Sequence, residues 1–323
     1  NILSSITNNT TTTLHILCQR VLIAMALLSV ILWILLVVLV LYHFWIWLAV
    51  HMMYKQEKKA YQTVSYMKAA EFSLKWIYGS FVCCILVLPV MIRERSFSNT
   101  KVRNAALFRG QQLGLYLFRS CFGIPQVIGK ENLPEDQDTA VIFAVNHQSM
   151  IDIALLYSLE YRFTWVSKSE AFILPGIGSL MKVSQFIKLI RGDRSSAASM
   201  FQGCIKTLGS NSSVAIFPQG TRDRLSVRPF KHGAFSLAAD HGYTVIPCTV
   251  FLPRDIWVRP NGAACTLTIH PPLGPSADKE ALRRNCADAV LGALPRDYAP
   301  PFEAAPTKNP MHAAGDGKGY SGI

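Results

Sequence analysis

The chain has 323 residues, half of them hydrophobic, and a formal net charge of +12. This length allows one large domain or two ordinary ones. The basic residues are scattered and no RNA-binding signature is present. The charge therefore favours an anionic membrane surface or a phosphate-bearing substrate, and it argues against nucleic acid as a partner.

The N-terminal part has the composition of a membrane region. Residues 1–20 are polar and rich in Thr, which predicts a disordered polar leader. No Asp, Glu, Lys or Arg occurs from Val21 to Met53. Since a helix needs roughly 20 apolar residues to cross a bilayer, this run predicts one tilted span. It is also too long for the core of a signal peptide.

A second charge-free run, from Trp76 to Ile92, is only marginally long enough to span. Basic clusters follow both runs: Lys55, Lys58, Lys59, Lys68 and Lys75, then Arg93, Arg95, Lys101, Arg103 and Arg109. The positive-inside rule places both clusters in the cytoplasm. Within the membrane region 21–92 we therefore predict one span at 21–53 and a re-entrant or interfacial segment at 76–92. A two-span topology stays open.

Residues 93–298 are predicted to form an α/β domain, and residues 299–323 a flexible tail. The domain begins with a basic amphipathic helix over 93–125, after which short β-rich runs alternate with helical patterns. This alternation predicts a central, mostly parallel or mixed sheet flanked by helices. The predicted strands are 139–146, 163–168, 185–190, 213–218, 244–250 and 265–272, and helices are predicted at 149–160, 195–209 and 231–242.

The stretch VNHQSMID, residues 145–152, has two interpretations. Ser149 and Asp152 are spaced as a capping box, with Ser149 at the N-cap and Asp152 at N3. His147 and Asp152 are spaced as a general base and the carboxylate that orients it. The local pattern slightly favours the cap, but the two interpretations do not strictly exclude each other.

The stretch IFPQGTR, residues 216–222, follows a buried strand. Pro218 and Gly220 turn the chain there, which places Arg222 just past the strand end. A guanidinium in that position suits a phosphate, although a surface Arg after a turn has the same pattern. Lys231 follows near the start of the next helix, where free N–H groups attract anions.

Two further stretches carry weaker signals. FIKLIRGDR, residues 186–194, is a strand that ends in a basic turn with Arg191 and Arg194. In VIPCTV, residues 245–250, Pro247 interrupts a strand pattern. Because Pro cannot donate to a central ladder, we predict an edge strand or a bulge there.

In this order, the four stretches resemble the motifs of the 1-acylglycerol-3-phosphate acyltransferase family of membrane-bound glycerolipid acyltransferases. NHQSMID resembles N-H-x-S-x-x-D, Arg191 falls on the Arg of the second motif, and Val245-Ile246-Pro247 falls on the fourth. The third motif, F-P-E-G-T-R, resembles Phe217, Pro218, Gln219, Gly220, Thr221 and Arg222. Gln219 departs from it, because Gln keeps the shape of Glu without its charge.

This resemblance implies an enzyme that transfers an acyl chain to the sn-2 hydroxyl of lysophosphatidic acid, giving phosphatidic acid. His147 would be the base and Asp152 its partner, and Arg191, Lys231 and residues 217–222 would bind substrate. Acyl-CoA or acyl carrier protein would be the donor, with no metal, no further cofactor and no acyl-enzyme. The partners would be membrane lipids, with the catalytic domain on the cytoplasmic face (the inner membrane if bacterial). Another lysolipid, such as a lyso-ornithine lipid, or an inactive scaffold of the same fold are the alternatives.

Overall fold

The computed structural model describes residues 2–190, 193–222, 228–259 and 264–295, and their side chains except those of 2–19, 21–24 and 194. The α-helices in these residues are α1 Ile2–Ala60, α2 Tyr66–Glu94, α3 Thr100–Phe122, α4 Ile151–Leu156, α5 Ile177–Val183, α6 Arg194–Leu208, α7 Gly233–His241 and α8 Lys279–Gly292. The strands are β1 Gln126–Ile128, β2 Ile142–Val145, β3 Phe163–Lys168, β4 Ile187–Leu189, β5 Ser213–Ile216, β6 Val245–Phe251 and β7 Thr266–Ile269. The predicted tail and Arg191 lie outside the described residues.

The chain divides into two compact units, and the first ends at Ala49. This unit contains the part of α1 up to Ala49, and its apolar side chains from Met25 to Leu41 are exposed. The prediction of a disordered leader is wrong, since α1 already begins at Ile2. Adding residues to an existing helix requires no new nucleus, so a Thr-rich segment of weak propensity continues the helix.

The second unit begins at Val50 and contains α2, which is one continuous helix of 29 residues. The segment 76–92, predicted to be re-entrant or interfacial, lies within this unbroken helix, and its place in the membrane stays a prediction. The helix buries a stripe that includes Ala69, Phe72 and Ile77 at helical spacing, and such a stripe stabilises an uninterrupted helix. Both Met25–Ala60 and Tyr66–Glu94 are long and apolar enough to cross a membrane, which supports membrane association.

In the part of the second unit that the structure describes, the strands form a seven-stranded sheet of the order β1-β7-β6-β2-β5-β3-β4. Every pairing is parallel except that of β6 with β7. The predicted mixed α/β fold and its six predicted strands are confirmed, although β1 and α5 were not predicted. Both faces of the sheet are covered, as expected for parallel strands. Alternate residues of β2 point to opposite faces of the sheet. On one face, Ile142 and Ala144 belong to the core cluster that includes residues of α6, α7 and α8.

Pro247 lies inside the central strand β6, so the prediction of an edge or a bulge is wrong. It is paired with Ala144 of β2, and its carbonyl accepts from His270 N–H on the other side. In a strand, the N–H and C=O groups of one residue point to the same side, so both groups of Pro247 would face β7. The missing N–H therefore faces the side of β7, where the ladder has already ended at Cys248 and Ile269. The ladder to β2 is unaffected.

The packing of α3 against the turn after α4 depends on a glycine. A Cβ built on Gly114 would lie 2.1 Å from Cδ2 of Tyr157, whose ring is buried. We expect Gly114→Ala to lower the free energy of unfolding by about 1–3 kcal/mol, the usual cost of overpacking. Chemical denaturation in detergent measures this.

Gly292→Ala, at the end of α8, is the matched control, since a Cβ there meets nothing within 4 Å. Its free energy of unfolding should stay within about 1 kcal/mol of the parent. Equal effects of the two substitutions would contradict the close approach at Gly114.

Candidate active site

The turn that follows β2 is fixed by amide side chains. The side chain of Asn146 donates to Val250 O at 2.9 Å and accepts from Val250 N at 2.7 Å. Gln148 accepts from Leu252 N at 3.1 Å. Both amides are fully buried and contact the end of β6. Parallel pairing of β2 with β5 also brings this turn beside the one after β5, because the carboxyl ends of parallel strands meet at one edge.

Side-chain oxygens accept from five consecutive backbone N–H groups in this turn, those of residues 147–151. Buried backbone groups without water require such partners. The five acceptors are Gln219 Oε1 for residue 147, Asp152 Oδ2 for residues 148 and 149, Glu57 Oε1 for residue 150 and Ser149 Oγ for residue 151. The turn is therefore held by side chains distant in sequence as well as by its own.

Asp152 connects the turn to the imidazole of His147. Its Oδ2 atom lies 2.8 Å from His147 Nδ1 and accepts from the N–H groups of Gln148 at 2.6 Å and Ser149 at 2.9 Å. The predicted capping register is wrong, because α4 begins at Ile151 and its N-cap is Met150. The N–H groups that Asp152 binds, those of Gln148 and Ser149, belong to the turn before α4. Asp152 thus serves both purposes considered from the sequence, since it binds backbone amides and the histidine.

The imidazole of His147 has a defined orientation and tautomer. A carboxylate only accepts, so Nδ1 carries the hydrogen and Nε2 is the nitrogen suited to take up a proton. The ring stacks on Phe217 with centroids 3.8 Å apart, and Phe217 stacks on Trp165 at 5.0 Å. Phe217, predicted to bind substrate, therefore also supports the face of the histidine ring.

The turn after β5 brings its residues to the same place. Gly220 has a φ of 71°, which glycine adopts without strain, and its N–H donates to Phe217 O at 2.9 Å. A Cβ at Gly220 would lie 3.2 Å from Nζ of Lys231. The close approach of Lys231 thus depends on this glycine. Lys231 N–H donates to Pro218 O at 3.0 Å, which fixes the start of the following segment.

Gln219 was predicted to bind substrate, but its side chain is buried behind the turn. Its Oε1 atom accepts from His147 N–H at 3.0 Å, and its Nε2 atom donates to Arg228 O at 3.3 Å. Only an amide makes both bonds, since a carboxylate cannot donate. The neighbours of Gln219 on both sides line the cavity, whereas the two ends of its own side chain are bound to backbone groups of the protein.

Arg222 contacts α1, which the sequence analysis did not connect with the site. Its Nη1 atom donates to Gln56 at 3.2 Å and to Glu57 at 3.1 Å. Glu57 is fully buried. Its position in a Lys-rich segment gave no sign of this burial, because no local pattern encodes a contact 165 residues away.

The two turns open onto one large cavity of about 1590 Å³. Its wall is mainly apolar, and its polar part includes His147, Arg222 and Lys231. Of the other predicted substrate residues, Phe217, Pro218, Gly220 and Thr221 line it as well. The cavity exceeds the roughly 300–1000 Å³ of ordinary ligand pockets, so it has room for a long apolar chain beside a polar head.

Two ionisable groups in the cavity wall are unsuited to act as nucleophiles. Burial raises the pKa of the Cys204 thiol to about 12, which leaves almost no reactive thiolate near neutral pH. Burial likewise raises the pKa of the Tyr157 hydroxyl. This hydroxyl accepts from Trp165 Nε1 at 3.2 Å. His147, which also lines the cavity, has the chemistry to activate a hydroxyl supplied by a substrate.

This arrangement defines a class of protein: an α/β fold with a histidine–carboxylate pair, beside basic side chains, at an apolar cavity. The Acyltransferase family model matches residues 124–251. A 1-acyl-sn-glycerol-3-phosphate acyltransferase of Helicobacter pylori is 30% identical over 168 residues, which cover 51% of this chain and 67% of that protein. One of Chlamydomonas reinhardtii is 34% identical over 177 residues, which cover 52% of each chain.

A solved structure has the same fold. The crystal structure of the 1-acyl-sn-glycerophosphate (LPA) acyltransferase PlsC from Thermotoga maritima matches with a TM-score of 0.53 and 24% identity, over 69% of this chain and 94% of that one. The chain belongs to the family of glycerolipid acyltransferases that includes the 1-acyl-sn-glycerol-3-phosphate acyltransferases. It matches about half the length of the algal relative and about a third of the chloroplast LPAT1 of Arabidopsis thaliana.

The two bonds of Gln219 predict the effect of restoring the acidic residue. In Gln219→Glu, the bond from His147 N–H is kept, but a carboxylate oxygen replaces the donor to Arg228 O. Position 219 is buried, so we expect the free energy of unfolding to fall by about 1–3 kcal/mol, the cost of a buried polar atom that faces a carbonyl without a hydrogen bond. Denaturation in detergent measures it.

Gln137→Glu is the matched control. Gln137 also accepts from a backbone N–H, of Arg162, and donates to a backbone carbonyl, of Glu160, but it is exposed. Water can replace the lost partner there, so we expect a change within about 0.5 kcal/mol. If Gln219→Glu is no more destabilising than this control, the second bond of Gln219 is unimportant.

Proposed function

We propose that the protein transfers an acyl chain from a thioester donor to the sn-2 hydroxyl of lysophosphatidic acid, giving phosphatidic acid. The observation that carries the proposal is the position of His147. Its Nδ1 is bound by Asp152, and the residue lines an apolar cavity together with Arg222. The relatives that carry the name 1-acyl-sn-glycerol-3-phosphate acyltransferase support this choice of acceptor.

The proposed reaction requires one proton transfer and one displacement. Nε2 of His147 takes the proton of the acceptor hydroxyl while its oxygen attacks the thioester carbon. Asp152 keeps the ring in the correct tautomer and stabilises the imidazolium. The C–S bond then breaks, the proton passes from His147 to the leaving thiolate, and ester and thiol are formed. The high pKa of Cys204 supports direct transfer, since it disfavours an acyl-cysteine intermediate.

The proposal assigns the phosphate of the acceptor to the basic side chains. Arg222 suits it because a guanidinium can bind a phosphate through two N–H groups. Lys231 lies on the same wall and adds a point charge. Arg191, which lies outside the described residues, stays a proposed third partner. The apolar wall would hold the acyl chain, and acyl-CoA and acyl carrier protein are both proposed donors.

We also propose that the catalytic unit lies on the cytoplasmic face of the membrane, and that α2, which is part of that unit, does not cross the membrane. The buried stripe of α2 and the basic clusters after both apolar runs support this. Cysteines introduced at positions 62 and 98 should both react with an impermeant reagent from the cytoplasmic side. Reaction from opposite sides would show that α2 crosses.

His147→Ala should lower kcat for phosphatidic acid formation about 100- to 10,000-fold, because proton-transfer groups contribute that much. Bound substrates stay close together, so a trace of activity should remain. The measurement is turnover by purified protein in detergent, with lysophosphatidic acid and both donors.

His241→Ala is the control, since His241 is exposed at the end of α7. The assay includes other lysolipids, among them lyso-ornithine lipid, to identify the acceptor. Unchanged phosphatidic acid formation by His147→Ala would refute the mechanism. An absence of turnover with every lysolipid, and its gain in Gln219→Glu, would favour an inactive scaffold.

A further inference from the structure

Glu57 is a fully buried carboxylate in the part of α1 that belongs to the second unit. It follows the charge-free run that ends at Met53 and has lysines at positions 55, 58 and 59 around it. Such a residue would ordinarily face solvent, because burying a carboxylate is costly unless it is well paired. Its surroundings in the fold must therefore compensate for the lost water.

Four donors surround the Glu57 carboxylate. Oε1 accepts from Met150 N–H at 2.9 Å and from Arg222 Nη1 at 3.1 Å. Oε2 accepts from Ser149 Oγ at 2.5 Å and from Trp257 Nε1 at 3.2 Å. A carboxylate is the one protein side chain that accepts this many bonds without donating. Burial raises the pKa of the Glu57 carboxyl, and the nearby Arg222 guanidinium and the bonds from Ser149 and Met150 oppose that rise by stabilising the ionised form.

These contacts join the two turns of the active site through one side chain. Ser149 and Met150 follow His147 in the first turn, and Arg222 closes the second. Glu57 contacts neither the imidazole nor the expected place of the reacting atoms, so any effect on the reaction passes through other residues. It binds both the backbone that presents His147 and the guanidinium assigned to the phosphate.

We propose that Glu57 is a positioning residue for acyl transfer, which fixes the turn of His147 and the orientation of Arg222. The proposal rests on the function proposed above. A guanidinium carries five N–H donors in a planar fork. Pairing through Nη1 therefore orients the group and is compatible with a bidentate contact to phosphate through other N–H groups. The segment of α1 after Val50 is thus part of the active-site support.

The first test is Glu57→Gln, which keeps the size of the side chain and removes its charge. In Gln, one carboxylate oxygen is replaced by an NH₂ group, which cannot accept from the donors that bind that oxygen. The turn or Arg222 must therefore move. We expect kcat/KM for the phosphate-bearing acceptor to fall about 100-fold, as a displacement of about 1 Å can cause. Glu71→Gln, an exposed carboxylate of α2 paired with Lys75, is the matched control and should not change it.

The second test separates positioning from a merely structural role. A double-mutant cycle combines Glu57→Gln with Arg222→Gln, and kcat and acceptor KM are measured for each variant. If Glu57 orients Arg222, its substitution raises KM in the parent but not in the Arg222→Gln background, whereas the loss in kcat persists in both. Independent effects on KM would overturn the link to Arg222. An unchanged kcat in Glu57→Gln would overturn the link to the turn.

Two further measurements keep the outcome decisive. Thermal unfolding in detergent shows whether each variant is folded. If Glu57→Gln is not folded, Glu57→Asp, which keeps the charge on a shorter side chain, replaces it. Equilibrium binding of lysophosphatidic acid is measured in parallel and should weaken about 10-fold in Glu57→Gln, the effect of a bond to a charged group. If the wild type acylates no lysolipid, the proposed function fails, while equal binding by wild type and Glu57→Gln would refute the link of Glu57 to Arg222 separately.

Discussion

The arrangement of this active site depends on the need of buried backbone N–H groups for partners. The chain leaves β2 into a turn whose residues Asn146, Gln148 and Ser149 are fully buried. Water does not reach these groups, so each N–H must meet an oxygen of the protein. Five successive N–H groups meet side-chain oxygens, and this requirement explains why so many polar side chains are buried around one histidine.

The same requirement explains why the site is assembled from distant parts of the chain. The turn is too short to supply every acceptor itself. Asp152 and Ser149 contribute locally, but Gln219 comes from the turn after β5 and Glu57 from the end of α1. The parallel pairing of β2 with β5 makes the first of these contacts possible. The histidine is thus positioned by the sheet and by hydrogen bonds, and the aromatic stack with Phe217 limits its remaining freedom.

The sequence indicated the fold and the chemical groups better than their partners. Alternating strands and helices predicted the mixed sheet, because hydrophobic periodicity is a local property. The spacing of His147 and Asp152 predicted their contact for the same reason. The contacts of Glu57 and Gln219 were missed, since they join residues 93 and 72 positions apart along the chain. The prediction of an edge or a bulge at Pro247 was wrong because the sequence does not show which strands flank β6.

The amide at position 219 also sets the electrostatic character of the site. A glutamate there would place a third carboxylate around a turn that already contacts Glu57 and Asp152. Both proposed substrates are anionic, since the acceptor carries a phosphate and either donor carries phosphate groups as well. Like charges in a poorly solvated site repel strongly. With a neutral residue at 219, the turn contacts Glu57 and Asp152 without a third negative charge, so an incoming anion encounters less repulsion.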